Sequence, residues 1–130
     1  DLLLNSKNYV MERLIKILLV EDDKSLGKIL KSYLTSKGYP TVLCCNGEEA
    51  LNRFNRESFD FIIVDVLIPI IDGFSLAEKI RKSSKDIPIV FLTGVRDKEH
   101  IEAVLRLKPA GYLLKPASVD TIFDCIQRIL

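Results

Sequence analysis

Five short apolar runs punctuate the chain, and the segment after each run repeats its apolar residues at helical spacing. The runs are KILLV (16–20), TVLCC (41–45), FIIV (61–64), IPIVFL (87–92) and YLL (112–114). Between them Leu26, Ile29, Leu30 and Tyr33 fall on one helical face, as do Ala50, Leu51 and Phe54. Leu76, Ala77 and Ile80 mark a third helix, Ile101, Val104 and Leu105 a fourth, and Ile122, Phe123, Ile126 and Ile129 a fifth. Apolar runs of three to six residues read as strands buried on both faces. Gly38-Tyr39-Pro40 closes the first helix with glycine-then-proline punctuation. A strand–helix unit repeated five times predicts an α/β fold, a parallel sheet with helices on both faces and right-handed crossovers.

The chain has 130 residues, the size of one ordinary domain, and 48% hydrophobic content is enough for a proper core. Lysine plus arginine (19) nearly balance aspartate plus glutamate (18), so bulk charge gives no argument for a nucleic-acid or membrane partner. No apolar run approaches the roughly 20 residues that span a bilayer. Cys44, Cys45 and Cys125 lack CxxC spacing and are expected to be buried reduced thiols of a cytoplasmic protein. His100 stands alone in the charged stretch RDKEHIEA, a poor setting for a metal or catalytic role. Residues 1–13 read as a leader or linker ahead of a domain at 14–130, with Met11 a natural start.

Ligands of open parallel sheets sit beyond the carboxyl ends of the strands. The first run ends in Glu21-Asp22-Asp23, the third in Asp65, the fourth in Thr93-Gly94 and the fifth in Lys115-Pro116. Asn46-Gly47, after the second, brings nothing ionisable. Convergent carboxylates repel one another unless a cation relieves them, and oxygen donors with room for water suit magnesium. A lysine and a threonine beside them complete a site for a phosphoryl group. With no serine, cysteine or histidine on offer, a carboxylate must be the nucleophile. Each feature also has a structural reading: Asp22 or Asp23 as a helix N-cap, and Asp72 as a turn residue beside Gly73.

The ordered set ILLVEDD, Asp65 followed by Leu-Ile-Pro and Asp72-Gly73, Phe91-Leu92-Thr93-Gly94, and Gly111-Tyr112-Leu113-Leu114-Lys115-Pro116 resembles the receiver domain of two-component response regulators, over about residues 14 to 130. The resemblance implies a flavodoxin-like, doubly wound five-stranded sheet in the order 2-1-3-4-5 with five helices. It makes Asp65 the phosphoacceptor, supplied by a sensor histidine kinase or a phosphotransfer protein. It makes Asp22 a direct magnesium ligand, Glu21 a ligand through water and the Leu67 backbone carbonyl another. Thr93 and Lys115 would contact the phosphoryl group. Tyr112 would be an aromatic switch acting on the surface of the fourth helix, fifth strand and fifth helix, where an effector docks. Pro69 and Gly73 would shape the loop presenting the site, and direct nucleic-acid binding by this domain is not expected.

Gly94 departs from the alanine often found there, and Ala117 from a common phenylalanine. A haloacid-dehalogenase-like phosphatase needs a second aspartate two residues after its nucleophile, and that position is Leu67. No glycine-rich phosphate loop supports a nucleotide-binding fold. The remaining alternative is a receiver-like interaction module that is not phosphorylated.

Overall fold

The computed structural model describes residues 14–130. The expected leader or linker over residues 1–13, Met11 included, lies outside them. Five strands alternate with five helices: β1 (Ile17–Val20), α1 (Lys24–Ser36), β2 (Thr41–Cys44), α2 (Gly47–Arg56), β3 (Phe61–Val64), α3 (Gly73–Ser83), β4 (Ile89–Thr93), α4 (Lys98–Leu105), β5 (Gly111–Leu114) and α5 (Val119–Ile129). All neighbours pair in parallel, in the order β2-β1-β3-β4-β5. The doubly wound sheet expected from the sequence is therefore the one observed.

Strand alternation divides the core in two. Leu18, Val20, Ile62, Val64, Ile89 and Phe91 face one layer, where Ala50, Leu76, Ala77, Ile80 and Val104 cover them. Ile17, Leu19, Phe61, Ile63, Val90 and Leu92 face the other, against Leu30, Leu34, Ile122, Cys125 and Ile126. The three inner strands, β1, β3 and β4, are buried throughout, which is why they carry apolar runs rather than alternating ones. β5 is an edge strand with Leu114 exposed, so the run 112–114 is less enclosed than its composition implied. β4 begins only after Pro88 and continues through Thr93, which lies inside the strand rather than beyond it. Cys45 likewise falls outside β2 and is half-buried, whereas Cys44 and Cys125 are buried; all three thiols are free. Burial pushes the Cys44 thiol up to about 12.

Each helix is capped at its start by a side chain. Asp23, Asn46, Asp72, Asp97 and Ser118 accept from the N–H groups of Leu26, Glu49, Ser75, His100 and Thr121 respectively. Such caps contribute about 1 kcal/mol each. They also sort the acidic residues: Asp23 and Asp72 serve α1 and α3, which leaves Glu21, Asp22 and Asp65 for other work. No helix among the described residues is long and apolar enough to cross a membrane.

Two glycines let the chain after β3 press against its surroundings. A Cβ on Gly73 would lie 2.0 Å from the Asp65 carbonyl oxygen, and one on Gly47 1.9 Å from that of Ile71. Nothing lies within 4 Å of a Cβ built on Gly94. Gly47→Ala should therefore lower the unfolding free energy in urea by about 3 kcal/mol, since backbone rather than a pliable side chain must yield. Gly94→Ala should change it by less than about 0.5 kcal/mol.

Candidate functional site

Val20 and Val64 are register partners on β1 and β3, so the residues after them emerge side by side. Glu21 and Asp65 are both buried, only 1% and 6% exposed, and Asp22 beside them is exposed. Each of the three can offer one carboxylate oxygen, all within 4.8 Å of one another. From the far side, Lys115 follows β5 and its backbone N–H donates to the Thr93 carbonyl, fixing where its side chain begins. Its ammonium lies 2.7 Å from Asp65 Oδ2 and 2.8 Å from Glu21 Oε1.

Both acceptor carboxylates are pinned on their second oxygen. The Leu67 N–H donates to Asp65 Oδ1 at 3.0 Å, and the Asp23 N–H to Glu21 Oε2 at 3.1 Å. Burial pushes the Glu21 carboxyl above its ordinary value, against the pull of Lys115. For Lys115, burial works against the ammonium, but the ion pairs with Asp65 and Glu21 outweigh it and its pKa rises. Two of the three carboxylates share one ammonium and Asp22 adds a third negative charge, so the pocket has spare negative charge and spare oxygen donors. That donor set fits a hard divalent cation.

Thr93 is fully buried, and its hydroxyl accepts from the Val95 N–H at 3.3 Å. Tyr112 is half-buried, stacks on Phe91 with ring centroids 6.2 Å apart, and donates its hydroxyl to the Val95 carbonyl at 2.7 Å. Burial and the nearby Asp65 charge both raise its pKa. The structure thus gathers Glu21, Asp22, Asp65 and Lys115, and ties Thr93 and Tyr112 to one residue, Val95. His100 stands apart, exposed, bonded to its own helix cap Asp97.

Sequence reasoning passed over two features. Ile70 has φ 73°, in the left-handed region that branched side chains avoid, and nothing in its identity signals that. Arg81 donates to the main-chain carbonyls of Ser84, Ile87, Leu107 and Lys108, acceptors that any residue type offers.

A buried carboxylate cluster with one ammonium, at the carboxyl ends of a doubly wound parallel sheet, defines an acidic site of the type that handles phosphoryl groups or cations. The family follows from comparison. Residues 17–127 match the model of the response regulator receiver domain, and the chain belongs to that family. It is 38% identical to the transcriptional regulatory protein RprY of Bacteroides fragilis, over 92% of this chain and 51% of that protein. It is 42% identical to the probable transcriptional regulator ycf27 of Cyanidium caldarium, over 88% of this chain and 45% of that one. The chain thus spans about half the length of these relatives. Among solved structures it is similar to the non-phosphorylated HemR receiver domain of Leptospira biflexa, with TM-score 0.84 and 33% identity over 88% of this chain and 93% of that one. It is also similar to the chemotaxis protein CheY4 of Vibrio cholerae, with TM-score 0.85 and 31% identity over 91% and 100%.

The Lys115 bridge has a stability consequence. In Lys115→Met, two buried carboxylates lose their shared counter-charge, and unfolding at neutral pH in EDTA should become easier by about 2 kcal/mol. A carboxyl whose folded pKa is raised favours the folded state below its unfolded value and loses that contribution as pH climbs through the folded one. The deficit of Lys115→Met should therefore shrink as pH falls toward the raised Glu21 value. Urea melts at several pH values would contradict this if the deficit grew in acid.

Proposed function

We propose that this receiver domain, residues 14–130 behind a leader or linker, accepts a phosphoryl group on Asp65 from the phosphohistidine of a sensor histidine kinase or phosphotransfer protein. The observation that carries the reading is the Lys115 ammonium held between Asp65 and Glu21 beside the exposed Asp22. An Asp65 oxygen attacks phosphorus, a P–O bond forms, and the P–N bond breaks with its electron pair leaving on the imidazole. β3 holds the nucleophile rigidly, so little ordering remains to be done at the moment of transfer. Lys115 passes from carboxylate to phosphoryl oxygen, and the Thr93 hydroxyl supplies a further donor. Magnesium, held by Glu21, Asp22, Asp65 and the Leu67 carbonyl, would neutralise charge on the phosphoryl oxygens.

Phosphorylation changes the local charge modestly, so the output needs an element with two arrangements. Thr93 and Tyr112, both bonded to Val95, supply it: drawing Thr93 toward the phosphoryl group disturbs the loop to which Tyr112 is tied. The affected surface is α4–β5–α5, where an effector would dock. The relatives' names support an output in transcription through another part of a longer protein, and the setting is cytoplasmic.

Mass spectrometry after incubation with acetyl phosphate and magnesium should find one added phosphoryl group on the wild type and none on Asp65→Asn. An unmodified wild type would instead favour a receiver-like interaction module that is not phosphorylated.

Leu67 and Val95 flank the site two residues after Asp65 and Thr93, and both are apolar. Neither can orient water, so self-dephosphorylation should be slow. The double variant Leu67→Asn, Val95→Glu should shorten the phosphoprotein half-life by about ten-fold, the scale of a positioned general-base contribution or somewhat below it. An unchanged half-life removes this explanation.

A further inference from the structure

Arg81, on the last turn of α3, spends its guanidinium on main-chain oxygens. Nε donates to the Leu107 carbonyl at 2.9 Å, Nη1 to Ile87 at 2.7 Å and Ser84 at 3.3 Å, and Nη2 to Lys108 at 3.2 Å. One side chain therefore joins the connection leaving α3 to the connection leaving α4. The planar fork makes this a directional clamp, which a point charge could not imitate.

α4 is otherwise loosely seated. Val104, near its C-terminal end, is its one buried residue, and Lys98, Glu99, His100, Glu102 and Leu105 are exposed. Between α4 and the start of α3 lies a groove of about 390 Å³, lined by Val66, Leu67, Phe74, His100, Ala103 and Val104 among others. The loop entering α4 is tied instead to the β5 side, through Tyr112 to the Val95 carbonyl and Arg96 Nη2 to the Lys115 carbonyl at 3.3 Å. Arg81 thus ties the chain just past α4 to the last turn of α3, while the groove separates α4 from the start of α3, beside the residues that follow Asp65.

We propose that Arg81 is the hinge pin of α4: a positioning residue that holds the chain just past the C-terminal turn of α4 on α3, so that rearrangement at the site swings the N-terminal turn across the groove. What drives the swing rests on reading Asp65 as the phosphoacceptor; the pin itself does not. Without it, α4 would shift as a whole and the movement would not be directed to one end.

Amide hydrogen exchange on the whole chain decides between these. Arg81→Met keeps most of the aliphatic stem and removes every donor. With no additions, it should speed exchange at Leu107 and Lys108 by about ten-fold or more relative to wild type, while Leu19 and Ile63 in the sheet change by less than about three-fold. Arg81→Lys should fall between. With magnesium and beryllium fluoride as the phosphoryl analogue, wild-type changes within residues 95–108 should be confined to 95–101, and in Arg81→Met they should spread to 105–108. Unchanged exchange at Leu107 and Lys108 overturns the proposal. So does acceleration shared equally with Leu19 and Ile63, which marks a general loss of stability, or a wild-type analogue response as strong at 105–108 as at 95–101. An analogue that changes nothing in either protein counts against the Asp65 reading alone, because the comparison without additions still judges the pin.

Discussion

One ammonium between two buried carboxylates organises this molecule. Lys115 reaches Asp65 and Glu21 together, and burying those carboxylates without it would be strongly unfavourable. An apolar trio of similar volume would serve stability at least as well, so the arrangement points to chemistry rather than to folding. The three residues come from β1, β3 and β5, separated by 44 and 50 positions in the chain, which only a completed sheet can unite.

The fold supplies that union by ordinary means. Parallel register brings Val20 level with Val64, so Glu21 and Asp65 leave their strands together. The helix cap at Asp23 turns the chain away at once after β1, and Asp72 caps α3 at the end of the loop that follows Asp65. Gly73 allows the start of α3 to lie directly on the Asp65 backbone, and Gly47 does the same for Ile71. The Gly47 N–H donates to the Pro69 carbonyl, and the next residue, Ile70, takes up the left-handed backbone that lets the loop close. Such a conformation in a branched residue costs on the order of 1–3 kcal/mol and persists only where its surroundings hold it. Here they hold it within five residues of Asp65.

Much of this was legible in the amino-acid order. Alternating periodicities revealed strands and helices because burial on two faces demands apolar runs such as FIIV, and one-sided burial demands spacing such as Leu76, Ala77 and Ile80. Polar residues immediately after those runs marked the rim. Periodicity alone could not tell Asp22 from Asp23, since either can cap a helix; the hydrogen bond from Leu26 identifies Asp23 as the cap. Strand limits at Pro88 and Cys45 slipped because apolar character continues beyond the register-paired residues. Arg81 and Ile70 were illegible for a different reason: one acts on carbonyls that every residue has, and the other through a dihedral angle that no residue type requires.

The central claim is electrostatic: in the free protein Lys115 is a charged bridge, held by Asp65 as much as by Glu21. An NMR titration that follows the Lys115 side-chain nitrogen in wild type and in Asp65→Asn measures this directly. The account predicts a wild-type pKa above that of an ordinary lysine and a clear fall when the Asp65 charge is removed. A wild-type value at or below the ordinary one, indifferent to that substitution, would mean that burial wins over the ion pairs and would contradict the account.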